Sequence, residues 1–118
     1  MKTIYHIATR ADWDSAQESG EYRVESLETQ GFIHMSQSVD QVLKVANAIY
    51  TGQSDLVLLH IDEQKVTPEL KYEAPDSNVP AHHYKGELFP HLYGALNVPA
   101  VVNVTDFTAN PDGKFTQI

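Results

Sequence analysis

The strongest constraint on the fold lies between residues 38 and 61. Val39, Val42, Leu43, Ala46, Ile49 and Tyr50 recur at intervals of three and four, which puts them on one stripe of an amphipathic helix. Ser38 stands ready as N-cap, Asp40 occupies the first turn, and Gly52 follows the end. Directly afterwards, Asp55 to Ile61 supplies the near-continuous apolar run Leu-Val-Leu-Leu-His-Ile, short enough for a strand covered on both faces. Such a strand belongs inside a sheet with both faces covered.

The remaining elements fit such a sheet. Thr3 to Thr9 alternates as a first strand, with Ile4, His6 and Ala8 on one face and Tyr5 and Ile7 on the other. Ala11 to Ser19 reads as a short helix stopped by Gly20, and Tyr22 to Leu27 as a brief strand or extended segment. Gly31 to Ser36 alternates again, so Phe32, His34 and Ser36 share a side. Glu69 to Glu73 and Ala100 to Phe107 are strands, 74–86 is a long loop that could act as a lid, Phe89 to Gly94 reads as a rigid turn, and Lys114 to Ile118 as a last short strand or a frayed end. Helices concentrated early, with strands after them, give an α+β order. The 118 residues suit one domain, 1–118. The glycines are scattered, with neither a dinucleotide nor a P-loop fingerprint.

Charge and composition narrow the chemistry. Eight basic residues against sixteen acidic ones give a net charge of −8, and the basic residues never cluster, which disfavours nucleic acid and anionic membranes as partners. No apolar run approaches a membrane span and no signal-like segment follows Met1, so a soluble, cytoplasmic protein is expected. Without cysteine, thiolate nucleophiles, disulfides and cysteine-held metals are excluded. Six histidines at 6, 34, 60, 82, 83 and 91 are the unusual feature. His34 and Ser36 emerge from one strand face, Glu73 closes a strand before the long loop, and Phe89-Pro-His91-Leu-Tyr93-Gly presents two polar-tipped rings suited to a small-molecule pocket. His34, His91 and Glu73 could also serve as an open three-ligand metal site, but no HxH or HExxH spacing supports one, so no metal ligands are assigned.

Taken together, Ile-Tyr-His6-Ile, Gly31-Phe-Ile-His34-Met-Ser36, Val45-Ala-Asn47-Ala-Ile-Tyr50, Tyr72-Glu73 and Phe89-Pro-His91-Leu-Tyr-Gly94 carry a resemblance over about residues 3 to 107. The chain resembles an uncharacterised bacterial family, the domain of unknown function 952 family, which is similar in fold to the ADP-ribosyltransferases. That resemblance implies two small facing antiparallel sheets with flanking helices, and a cleft able to hold NAD or an ADP-ribosyl or phosphoribosyl compound as substrate, with no tightly bound cofactor. It implies His6 as a nucleotide-binding residue, and Ser36, Tyr93 and Arg10 are read beside it as further nucleotide-binding residues of the cleft. His6 would meet the adenosine ribose, and Arg10 or Arg23 the pyrophosphate. Glu73, His91 and His34 are the implied catalytic group, Glu73 being the nearest counterpart of the transferase glutamate. A nucleotide-binding module without turnover is the alternative, and a His/Glu metal-dependent hydrolase a more distant one.

Overall fold

The computed structural model describes residues 2–74 and 87–118. In chain order the elements are β1 (Thr3–Thr9), α1 (Arg10–Ser19), β2 (Glu21–Tyr22), α2 (Glu25–Thr29), β3 (Ile33–His34), α3 (Val39–Ile49), β4 (Leu56–Asp62), β5 (Glu69–Glu73), β6 (Phe89–Tyr93), β7 (Leu96–Asn97) and β8 (Val101–Phe107). The fold is α+β with small antiparallel sheets and few helices, as expected.

One sheet has the order β1-β4-β8, a second the order β3-β6-β5, and β2 pairs with β7 in a two-residue ribbon. The first two sheets meet where Tyr5 and Ser36 exchange both backbone hydrogen bonds, each 2.8 Å long. The run at β4 is central to its sheet and buried on both faces, which is why its sequence is continuously apolar. Its alternate residues feed two cores. Val57, Leu59 and Ile61 join Ile4, Ala8, Trp13, Ile33 and Leu92, whereas Leu56 and Leu58 join Ile7, Val42, Ala46, Phe107 and Phe115.

The local signals explain the helix ends. Thr9 accepts from the Asp12 N–H at 3.1 Å and opens α1, and Gly20 closes it at φ 87°, a conformation that costs glycine little. Ser38 caps α3 by accepting from the Gln41 N–H at 3.2 Å, while the Gln41 side chain accepts from the Gln37 N–H at 2.9 Å. Together the two bonds satisfy two donors with no helical partner.

Three expectations are corrected. Phe89–Tyr93 is no turn but β6, the middle strand of the second sheet, hydrogen-bonded on both sides. Proline and glycine made the segment look like a bend. Pro90 is accommodated because it contributes a carbonyl, 3.0 Å from the Met35 N–H, where the strand needs an acceptor. Tyr22 to Leu27 splits into the end of β2 and the start of α2. Lys114 to Ile118 adds no strand; Phe115 anchors the tail by stacking on Phe107 with centroids 4.7 Å apart, held by Asn47, which bonds both its N–H and its carbonyl at 2.8 Å. Of the expected loop at 74–86, all beyond Ala74 lies outside the described residues, as do His82 and His83.

Candidate functional site

Strand register assembles the site. On the second sheet His34 of β3 lies directly opposite His91 of β6, and Lys71 of β5 lies opposite His91 on the other side. Directly opposed residues share a face, so the two imidazoles meet edge to face with centroids 5.5 Å apart. Phe32, just before β3, stacks on His91 at 4.1 Å and 17° and touches His34 edge-on at 4.8 Å. The His91 ring is thereby clamped, with 3% of its surface exposed.

Glu73, at the end of β5, closes the cluster. Its Oε1 accepts from His91 Nδ1 at 2.9 Å and from the Tyr93 hydroxyl. The Tyr93 bond first, and the His91 bond second, hold the Glu73 carboxyl below the usual carboxylate range, and the same carboxylate pushes the Tyr93 hydroxyl up. Because a carboxylate only accepts, His91 Nδ1 carries the hydrogen, and Nε2 has no hydrogen-bond partner among the described residues.

His6 forms a second polar centre, joined to the first. Its Nδ1 donates to the His34 carbonyl at 2.6 Å, so its Nε2 is the acceptor for the Tyr22 hydroxyl at 2.9 Å. Both ring nitrogens are therefore satisfied inside the protein. Burial pushes the imidazole down from 6.5 to about 4, and burial pushes the Tyr22 hydroxyl far up, so both groups are neutral.

Two cavities flank these residues. The larger, about 500 Å³, is lined by the aromatic rings of Tyr5, Tyr22, Tyr50 and Phe89, by apolar groups such as Met35 and Val45, and by His6, His34, Ser36 and His91. The smaller, about 460 Å³ and more open, is lined by Phe32, Ala74, Glu73 and Tyr93, and shares Gln30 and His91 with the larger. The side chain of Gln30 accepts from His34 Nε2 at 2.6 Å, so the shared wall is itself hydrogen-bonded to the histidine pair.

Of the residues singled out in the sequence, His6, His34, Ser36 and His91 meet at the larger cavity and Glu73, His91 and Tyr93 at the smaller. Arg10 does not join them. It opens α1 beyond the cavity lining, where its guanidinium pairs with Asp55 at 2.9 Å and with Asp106 at 2.6 Å. Arg23 is likewise outside the lining, 3.4 Å from Glu21. Among the described residues no three His, Asp or Glu side chains are grouped to hold a metal ion, and no helix is long and apolar enough to cross a membrane. Tyr22 and Gln30 escaped sequence reasoning. Neither has a local signal, since each is defined by a partner brought to it by the fold.

An α+β body with a histidine-lined cleft defines the class, and comparison supplies the family. The chain belongs to the family described as protein of unknown function (DUF952), whose profile matches residues 7–104. It is similar to protein CC0527 from Caulobacter crescentus. A crystal structure of that protein shares 33% identity and a TM-score of 0.81, covering 97% of this chain and 93% of that one. The solution NMR structure of CC0527 shares 34% identity and a TM-score of 0.76, covering 97% and 91%. No curated protein matches the sequence.

Proposed function

We propose that the larger cavity receives a ribosyl nucleotide, NAD or an ADP-ribosyl or phosphoribosyl compound, and that the protein breaks its glycosidic bond in the manner of an ADP-ribosyltransferase-like fold. The observation that carries this reading is the position of His91, which lines an aromatic cavity of about 500 Å³ and is bonded to the ionised Glu73 behind it. The volume falls in the range of small-molecule sites, about 300 to 1,000 Å³. Tyr5, Tyr50 and Phe89 offer faces and edges for a flat base or a nicotinamide ring. As nicotinamide departs, positive charge develops at the ribose carbon, and a fixed negative group at that end of the cleft favours the transition state over the ground state. Ser36, which lines the same cavity, would bond a ribose hydroxyl.

The test is incubation with NAD, nicotinamide mononucleotide and ADP-ribose, reading free nicotinamide by chromatography and binding by thermal shift, where a ligand at 100 times its dissociation constant adds about 2.7 kcal/mol. Nicotinamide release that falls in Glu73→Gln supports the enzyme. A module that binds without turnover is the second reading; in both, the pairing of His6 with Tyr22 and the His34 carbonyl leaves that imidazole no free nitrogen for a ligand. Binding without release, indifferent to Glu73→Gln, selects it. Neither binding nor release with any of the three refutes both.

A further inference from the structure

Glu73 and His91 are not equivalent members of this site. Glu73 lines the smaller cavity only, whereas His91 lines both. Of the pair, His91 is therefore the residue that borders a molecule held in the larger cavity, with Glu73 bonded to its ring. The hydrogen bond to Glu73 fixes His91 Nδ1 as an N–H, so in the uncharged tautomer the lone pair lies on Nε2. That nitrogen has no partner among the described residues although the ring is almost wholly buried. The ring cannot easily turn to find one, because Phe32 stacks on it at 4.1 Å and the His34 ring abuts it at 5.5 Å. Tyr93 fixes the carboxylate in turn by donating to the same Oε1. The arrangement has the parts of a base with its orienting group: an available imidazole nitrogen, a carboxylate holding the far nitrogen, and a stacked ring holding the plane.

We infer that His91 Nε2 is the general base of the glycosidic reaction and that Glu73 is a positioning residue acting through it, an assignment that rests on the proposed function above. The substrate it serves is a hydroxyl acceptor, water or an alcohol. In the step, the acceptor oxygen bonds to the ribose C1′ as the bond from C1′ to the pyridinium nitrogen breaks. The electron pair of that bond goes to the ring, which leaves as neutral nicotinamide. The acceptor proton passes to His91 Nε2, and the resulting imidazolium is held against the Glu73 carboxylate. This differs from the role implied by resemblance, in which Glu73 itself would touch the ribose.

The experiment compares nicotinamide release by the wild type, His91→Ala, Glu73→Gln and Glu73→Asp, with and without added imidazoles of graded basicity. Loss of a general base costs about 100-fold to 10,000-fold in rate. His91→Ala is expected to lose kcat on that scale with little change in KM, and to recover part of it with imidazole, more with the more basic imidazoles. Glu73→Gln is expected to lower kcat at similar KM, with partial recovery in Glu73→Asp. A residue that only shapes the cleft gives no such rescue. Full kcat in His91→Ala, or a loss that no imidazole restores, overturns the assignment while leaving the glycosidic reading intact; a wild type that releases no nicotinamide overturns both. Should His91→Ala fail to fold, nitrogen NMR of the wild type decides: an Nδ1–H tautomer supports the assignment, and an Nε2–H tautomer overturns it.

Discussion

Acidification tests the buried pair at the back of the cleft. The His6 imidazole titrates at about 4 in the folded protein against 6.5 ordinarily, so between those values the unfolded ring carries a proton that the folded ring refuses. Folded protein then binds fewer protons than unfolded, and stability falls as pH drops through this window. The contribution is fully present above about 6.5, declines by up to about 1.4 kcal/mol per pH unit, and is lost once the folded ring titrates near 4, about 3 kcal/mol in all. For 118 residues the unfolding entropy is about 0.25 kcal/mol per kelvin, so the loss corresponds to a fall of about 12 °C in Tm. Carboxylates also titrate there, and His6→Gln isolates the histidine. The glutamine amide can donate to the His34 carbonyl and accept from the Tyr22 hydroxyl, as the neutral imidazole does, yet it cannot be protonated. Urea unfolding of both proteins from about pH 7 to about pH 4 should show the wild type losing about 3 kcal/mol more than the variant. Parallel curves would refute the reasoning, because they would mean that the ring takes up its proton without leaving its partners.

Tyr22→Phe removes the donor to His6 Nε2 while keeping the ring in its buried site, and is expected to cost about 1 to 3 kcal/mol in thermal unfolding; an unchanged Tm would mean that the nitrogen finds another donor. Gly94→Ala is expected to destabilise by a similar 1 to 3 kcal/mol or so, since its Cβ would stand 2.8 Å from Pro68 Cβ at φ 156°, and a neutral result by the same assay would show that the Pro68 turn yields freely. Arg10→Ala, which breaks the exposed pairs with Asp55 and Asp106, is expected to leave the affinity of any cleft ligand unchanged in thermal-shift titrations, and a weakened affinity would restore the pyrophosphate contact that its position argues against.

Local periodicity made β1, β4 and α3 legible, because each is defined by which of its own residues are apolar. Even there it saw only the middle. Val42 and Ala46 are fully buried on the stripe of α3, but Val39 and Ile49 at its two ends are 40% and 45% exposed. The segment around Pro90 defeated the same reasoning. Proline and glycine are strong turn signals, and only the β3 and β5 partners on either side, invisible in a local window, reveal the segment as a central strand.

The site divides along the same line. Residue chemistry identified the imidazoles, the carboxylate and the phenol, but pairing distributed their roles. His6 and His91 are the same side chain on adjoining walls of one cavity. Tyr22 and the His34 carbonyl occupy both nitrogens of the first and make it part of the scaffold. Glu73 occupies only one nitrogen of the second, whose Nε2 has no partner among the described residues. Spacing along the chain encodes neither outcome, because every partner arrives through strand register or through a helix packed from elsewhere in the sequence. The difference in pairing between these two histidines therefore resides in Tyr22, the His34 carbonyl and Glu73, and exchanging those partners tests the proposed roles more directly than exchanging the histidines themselves.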